Sequence, residues 1–465
     1  MRSLSPPFIR FFSLTFALLL CLTGCHNPSL PDPPVSESVE SESPTFPAIT
    51  LPPIDVSDSP LPVLSIVTDE QAPILSRVNY LNAQLTVTEP QSRDTETSYT
   101  CRIRGRGHSS FNSTSDTNDY LSKNSYRIKL DQKADLLPAH NGGNNRDWIL
   151  LSCKYDASAL RNHLIWDLAR RMGSIPYVSA YTWVELYVNG DYRGLYMLTE
   201  QIEVASDRVD IDESASSDPA RVGYLLEYDF RGDIETGACE GLTYFYLPDC
   251  EVEWVLKSEV YTTAETAAIR THLLSCHEAI LSGDRARIAE LIDVPSFVDM
   301  FILQELSKNP DVGSTSFYLQ RDAGGKLYLT APWDFDFSFG TYSTSVSNTG
   351  LVTQSDKVPP HPWFAALLRQ AWFVEAVQTR MEELSPLLEQ TLDTLDSLSS
   401  LLAPVSDRND ERWGVYGEKY AKYVNDQVSV KLNSYEEHVE FLRSWTNRRW
   451  SAMERALRRA RRFAA

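Results

Sequence analysis

Lys308-Asn309-Pro310-Asp311 and Trp333-Asp334-Phe335-Asp336-Phe337-Ser338-Phe339-Gly340 bracket the stretch on which the fold of this chain turns. Between them, Thr315 to Gln320 and Lys326 to Thr330 are strand-like, and Asp322-Ala323-Gly324-Gly325 is turn chemistry. The spacing predicts a hairpin, whose open ends lie together because paired strands run ~4.8 Å apart. Asp311 and Asp334, 23 residues apart, are therefore expected on neighbouring ends of one unit, within side-chain reach of one metal-bound ligand.

The three carboxylates sit beside aromatics without the period of a solvated helix or strand face. Paired carboxylates of this kind suit a hard divalent ion, which takes oxygen ligands and keeps several waters. Asp334 and Asp336 are the candidate metal ligands. The same residues also suit another arrangement, in which Asp311 caps a turn and Asp334 and Asp336 cap or salt-bridge around a buried aromatic knot.

The ends of the chain have a different character. Arg2 and Arg10 flank the start of a basic segment, Phe11 to Leu22 is an apolar run of 12 residues, and Leu22-Thr23-Gly24-Cys25 closes it. The run is shorter than the ~20 residues a spanning helix needs, so residues 1–25 read as an export signal. Leu-Thr-Gly-Cys resembles a bacterial lipobox, which implies cleavage before Cys25, lipidation of its thiol, and a membrane-anchored protein on the extracytoplasmic face. An ordinary signal peptide cut nearby would also export the chain. Residues 26–60 hold nine prolines, six acidic residues and no Lys or Arg. Too little apolar surface is available there to offset ordering entropy, so the segment reads as an extended, semi-rigid tether. The 61–465 remainder is long enough for two lobes around a cleft.

A net charge of −20 argues against nucleic-acid binding and against a polybasic membrane contact. Of the seven cysteines, Cys239 and Cys250 bracket a Gly- and Tyr-rich segment and suit a disulfide in an exported protein. Cys101, Cys153 and Cys276 read as buried small hydrophobes.

Leu61 to Val67, Asn82 to Thr88 and Tyr99 to Arg104 are expected strands. Alternation puts Arg102, Arg104 and Arg106 on one face of the third, opposite Ile103, and Arg127 and Lys129 on one face of Tyr126 to Leu130. If these strands pair, a basic stripe runs beside the Gly105-Arg106-Gly107-His108-Ser109-Ser110 loop. Fixed cations, hydroxyls and backbone N–H groups are what triphosphate binding needs, although a solvated strand face has the same pattern. Asp156 to Met172 reads as a helix with Asp156 as N-cap and Gly173 past its end. A hairpin is expected over Asn189-Gly190 and a strand over Gly223 to Phe230. Helical patterns follow over 263–282, 285–292, 295–308, 363–402 and 434–463. The expectation is a two-lobed α+β protein, with a strand-rich lobe over about 61–230 and a helical lobe over about 260–465.

Assembled in order, these residues resemble the spore-coat-protein-H (CotH) kinase family, a group of atypical protein kinases. The motifs are Arg104-Gly105-Arg106-Gly107-His108-Ser109, Tyr126-Arg127-Ile128-Lys129-Leu130, Asp147-Trp148-Ile149-Leu150-Leu151 and Leu160-Arg161-Asn162. Gly194-Leu195-Tyr196 with Thr199-Glu200, Glu305-Leu306-Ser307-Lys308-Asn309 and Trp333-Asp334-Phe335-Asp336 complete the set. The layout also matches the protein-kinase plan of a loop Asp, two strands, and a metal-binding Asp followed by Phe.

The resemblance implies a kinase-like fold, ATP and Mg²⁺ or Mn²⁺ as cofactors, and γ-phosphoryl transfer to Ser or Thr of a protein acceptor. It puts the catalytic Asp at Asp311 and the metal at Asp334 with Asp336. Ser316 stands where the kinase plan has a second ligand, usually Asn. Arg104, Arg106, Ser109, Ser110, Arg127 and Lys129 fall on the phosphate side, and Trp333 is a candidate to stack on the purine. His108 departs from the family's usual Asn, and Pro310 fixes φ and removes an N–H directly before Asp311. Two other readings stay open: a surface-anchored binding or structural protein without turnover, and transfer of AMP from the same site. Cys25→Ser is expected to release the protein from membranes or leave unprocessed precursor, read by fractionation and gel mobility. Unchanged fractionation and mobility would refute lipidation.

Overall fold

Alternating apolar and polar residues make strands with one buried face, and in this chain the first seven close on themselves. The computed structural model describes residues 55–91, 96–111, 122–140, 142–214, 218–231, 243–258, 261–342, 345–417 and 432–464. The strands are β1 (Val63–Thr68), β2 (Leu81–Thr88), β3 (Glu96–Arg106), β4 (Ser125–Ala134), β5 (Asn145–Leu151), β6 (Tyr181–Val188) and β7 (Asp191–Glu200). Their order around a closed barrel is β1-β2-β3-β4-β5-β7-β6, with β6 returning parallel to β1. Leu64, Leu85, Ile103, Ile128, Val184 and Tyr196 fill the interior. Asn189 and Gly190, at φ +52° and +79°, make the β6–β7 turn that their sequence predicts.

A second sheet holds β8 (Tyr224–Asp229), β9 (Tyr244–Phe245), β10 (Glu253–Leu256), β11 (Phe317–Arg321) and β12 (Leu327–Thr330). Its order is β12-β11-β8-β10-β9. The expected hairpin forms as β11–β12, with Tyr318 opposite Thr330 and Arg321 opposite Leu327. β8 then pairs with β11, so strands before residue 260 and after it share one sheet.

The helices are α1 (Arg161–Met172), α2 (Thr263–Ser282), α3 (Arg285–Leu291), α4 (Val294–Ser307), α5 (Pro362–Leu367), α6 (Ala371–Trp413) and α7 (Tyr435–Ala460). Thr262 and Glu265 form a capping box at α2, and Ser434 accepts from Glu437 N at the start of α7. Two helix readings change. Asp156 is not the N-cap of α1, which begins at Arg161; its carboxylate instead holds the preceding turn, accepting from Ser158 N and Arg161 N. The pattern over 363–402 divides at residues 368–370, and α6 continues through Pro386 and Pro404 to Trp413.

The fold is thus mixed α+β, with a strand-rich N-terminal half and a helical C-terminal half. The two-lobed kinase-like plan is corrected: a closed seven-stranded barrel replaces an open kinase-type lobe. Beside the barrel, one hydrophobic core runs without interruption through α1, the second sheet and α4 to α7. Residues 1–54, with Cys25 and most of the tether, lie outside the described residues, as does Cys239 of the expected disulfide. Among the described residues no helix is long and apolar enough to cross a membrane.

One buried ion pair ties the helical half together. Arg449 on α7 donates to the Glu305 carboxylate on α4 at 3.0 Å, to Glu305 O, and to Asn348 O at 3.2 Å. Glu305 also accepts from Val352 N and Thr353 N at 2.7 and 2.9 Å. The two side chains are 1 % and 0 % exposed. Removing one partner of such a pair strands the other charge in the core. Arg449→Met is therefore expected to destabilise the fold by about 3–5 kcal/mol. Arg443→Met, whose partner Asp396 is exposed, should change it by less than about 1 kcal/mol; urea midpoints compare the two.

Candidate active site

Helix α1 grips the acidic segment at three points. Trp166 Nε1 donates to Pro332 O at 2.6 Å, Asn162 Oδ1 accepts from Phe335 N at 2.9 Å, and Arg161 Nε donates to Ser338 O at 3.2 Å. The end of α4 adds a fourth, where Ser307 O accepts from Phe339 N at 2.8 Å. Along this segment Ala331, Asp334 and Phe339 take φ of +45°, +65° and +54°. Asp tolerates the left-handed region better than Ala or Phe, and backbone of this kind persists only where its surroundings hold it.

Asp311 follows the αL residue Lys308 that ends α4. Asn309 Oδ1 accepts from Asp311 N at 3.0 Å, and Asp311 O accepts from Ser314 N and Thr315 N at 2.9 and 3.1 Å. These bonds close a tight turn, which accommodates the unusual Pro310. Ser316 follows, buried, at φ +57°.

The hairpin brings the carboxylates together as its geometry predicts. Asp311, Asp334 and Asp336 are each partly exposed. Burial, then the charge of Asp334, pushes Asp311 up to about 7. Burial also raises Asp334, against the lowering effect of Arg106 and Arg231. Asp336 lies far above the usual carboxylate range because of burial first and then Asp334, Asp311 and Asp156. Among the described residues none of the three has a salt-bridge partner, which weighs against the salt-bridged knot. No group of three or more His, Cys, Asp or Glu side chains among the described residues, this trio included, is placed to hold a metal ion. Two of these carboxylates would still suit an ion of the Mg²⁺ type, which uses one or two carboxylates and takes its other ligands from substrate phosphates and water.

The glycine loop lies beside this segment. Arg106 sits over the Trp333 ring at 5.0 Å. Tyr155 OH donates to Ser109 O at 2.7 Å while its ring packs 4.4 Å from Phe337. Gly107, at φ +91°, makes the turn; a Cβ there would meet Ser110 Oγ. Ser109 and Ser110 are partly exposed on it.

β3 and β4 do pair, with Arg104 opposite Arg127 and Arg102 opposite Lys129, so the basic stripe forms, but its charges are engaged. Arg127 donates to Asp147 Oδ1 at 2.8 and 2.6 Å, and Lys129 lies 3.6 Å from the same carboxylate. Arg104 donates to Gly105 O and Arg77 O and lies over Tyr80. Trp333 is 2 % exposed. Its ring packs on Trp166 at 5.4 Å and lies under Arg106, so it is wall, without an open face for a purine. Arg106 is the cation of the stripe that reaches the carboxylates.

Sequence reasoning missed Asp156, Asp229 and Arg231. The signal for the last two was available: Glu227-Tyr228-Asp229-Phe230-Arg231 places charges in a fully buried strand and at its end.

The family model described as CotH kinase protein matches residues 102–453, a span containing every site residue above. No curated protein matches the sequence significantly.

The raised carboxyl of Asp311 has a consequence for stability. Its folded-state value of about 7 exceeds the ~3.9 of an unfolded Asp, so between these values the folded state binds more protons. Metal-free protein should therefore lose stability as pH rises from 4 to 7. Asp311→Asn removes that loss and is expected to melt about 1–3 °C above wild type at pH 8, the gap closing towards pH 4. Thermal scans in chelator test this; a gap independent of pH would refute it.

Proposed function

The chain belongs to the CotH kinase family, and on that premise we propose that it transfers the γ-phosphoryl group of ATP to a Ser or Thr hydroxyl of a protein acceptor, using Mg²⁺ or Mn²⁺. The observation that carries this reading is the trio Asp311, Asp334 and Asp336, whose carboxyls are raised by burial and by neighbouring carboxylates and have no salt-bridge partner among the described residues. A site built only for stability has no use for that arrangement.

Asp334 and Asp336 would hold the ion, with Ser316 as a candidate further ligand. A divalent ion there supplies charge neutralisation for the triphosphate oxygens. Asp311, on a separately anchored turn, orients the acceptor hydroxyl and takes its proton; a base whose pKa lies near 7 suits that task. Arg106, with the Ser109 and Ser110 hydroxyls and the loop N–H groups, faces the phosphates. Arg127 and Lys129, bound to Asp147, form the outer part of that wall. Catalysis is then positional and electrostatic. In the same proposal, lipidation at Cys25 places the domain on the extracytoplasmic face of the membrane.

The two carboxylates separate experimentally. Asp334→Asn should lower metal-dependent ATP affinity together with turnover. Asp311→Asn should keep ATP affinity and slow the chemical step by about 10²–10⁴-fold. ATP titrations with and without metal, beside single-turnover assays with γ- and α-labelled ATP, read both effects. Transfer of α-label would show AMP transfer, and neither label a binding protein. Full phosphorylation by Asp311→Asn, or wild-type metal–ATP affinity in Asp334→Asn, would remove those residues from these roles.

A further inference from the structure

Charge is distributed unevenly along α7. Its first turns carry Glu436, Glu437 and Glu440, whereas residues 441–464 hold eight arginines, no lysine and one acidic residue, Glu454. Arg449 is buried in its pair with Glu305. Arg443 and Arg461 pair with Asp396 and Glu375 of α6, the latter at 2.8 Å. The other five, Arg448, Arg455, Arg458, Arg459 and Arg462, are exposed. Among the described residues their side chains have no ion-pair or hydrogen-bond partner.

Spacings of seven, four and three residues put Arg448, Arg455, Arg459 and Arg462 in one stripe, with Arg458 at its edge. Met453, Leu457 and Ala460 are buried on the opposite side, in the helical core. The stripe continues past the end of the helix because Arg462 N donates to Arg459 O at 3.0 Å. Phe463, next in the chain, is 89 % exposed.

Two ordinary explanations fall short. Cations near a helix C-terminus offset the macrodipole, but that effect is confined to the last turn, and Arg448 and Arg455 lie before it. A face made only for solubility would carry both signs. What five unpaired guanidinium groups fit is a surface of phosphate groups, whose oxygens the planar fork meets two at a time. Arginines beside an exposed aromatic are also the composition of a helix that rests in a headgroup layer. The rest of this acidic chain is repelled by an anionic surface, so the arginine face is the one that approaches it. Anchoring at Cys25, proposed above, would keep the domain within reach of such a surface, an argument that an acidic protein partner lacks.

We propose that the arginine face of α7, with Phe463, docks on anionic phospholipid headgroups and so orients the domain on the membrane. The net charge of −20 argues against a polybasic contact, but a surface responds to charge within a Debye length of ~8–10 Å, and within that distance this face is basic. The docking is independent of phosphotransfer.

The test places the full chain with vesicles of phosphatidylcholine, alone or with about a third phosphatidylglycerol, so that any N-terminal anchoring is common to both. Amide hydrogen exchange over residues 448–463 should be about 3–10-fold slower on the anionic vesicles. Salt at about 0.5 M should remove the difference. Combined Arg455→Gln, Arg458→Gln, Arg459→Gln and Arg462→Gln should melt within a few degrees of wild type, since all four are exposed, and lose the slowing. The corresponding four Arg→Lys changes, which keep the charge, should retain at least about half of it. Phe463→Ser should lessen the slowing and keep its salt dependence. Equal exchange on both vesicles by folded wild type would overturn the assignment, as would slowing that persists in the combined Gln variant. Slowing by polyglutamate with none on anionic vesicles would also overturn it, giving the face to an acidic protein instead. Because a chain without its lipid serves the same comparison, failure of the Cys25 reading shows separately, in fractionation.

Discussion

Burial and neighbouring carboxylates make ionisation of Asp311, Asp334 and Asp336 costly, and the structure holds the segments that carry them with hydrogen bonds to their backbone. Asn162, Arg161 and Trp166 on α1 hold residues 332 to 338, while Ser307 at the end of α4 holds Phe339. Asn309 and the turn N–H groups fix Asp311 separately. None of these bonds neutralises a carboxylate. Arg106 and Arg231 act on Asp334 from outside the trio, and the backbone at Ala331, Asp334 and Phe339 is left-handed, a conformation that persists only where its surroundings hold it.

The barrel contributes to the site from its outer face. Its interior is apolar and closed, so the residues it offers to the proposed site are those that alternation turns outwards at one end of β3. Arg106 and the loop after it reach the acidic segment through Trp333 and Tyr155. Farther along the same strand the cations are bound to Asp147 or to backbone carbonyls. A nucleotide entering this region would meet one strong cation at the acid site and a wall of cations already partnered. The Glu305–Arg449 pair plays a related part in the helical half, since α4 carries both that pair and the Ser307 contact to Phe339. Loss of the pair would reach the site through α4.

Much of this was legible in the residues. The β11–β12 hairpin, the Asn189-Gly190 turn and the Gly173 helix stop follow from local chemistry and from period. The nearness of Asp311 to Asp334 was readable because a hairpin converts sequence separation into contact. The role of Leu160-Arg161-Asn162 was visible only as a motif; that it clamps a segment more than 170 residues away, as the Asn162–Phe335 bond does, is a tertiary fact. Asp156 was misread as a cap because a short polar residue before an apolar run has the same signature whether it caps the helix or anchors the turn before it.

Sequence alone marked most of the helices and strands, though not β5, β9 or β10, and led to the expectation that two acids lie at the hairpin's open ends, since period and turn chemistry act over a few residues. Tertiary structure alone decided that seven strands close into a barrel and that β8 joins β11. It also decided that Arg127 and Lys129 are claimed by Asp147, and that Arg231 is bonded to Thr315 after the Asp311 turn. Strand order and charge pairing depend on which surfaces meet across large sequence separations, and a local pattern carries no record of that partner.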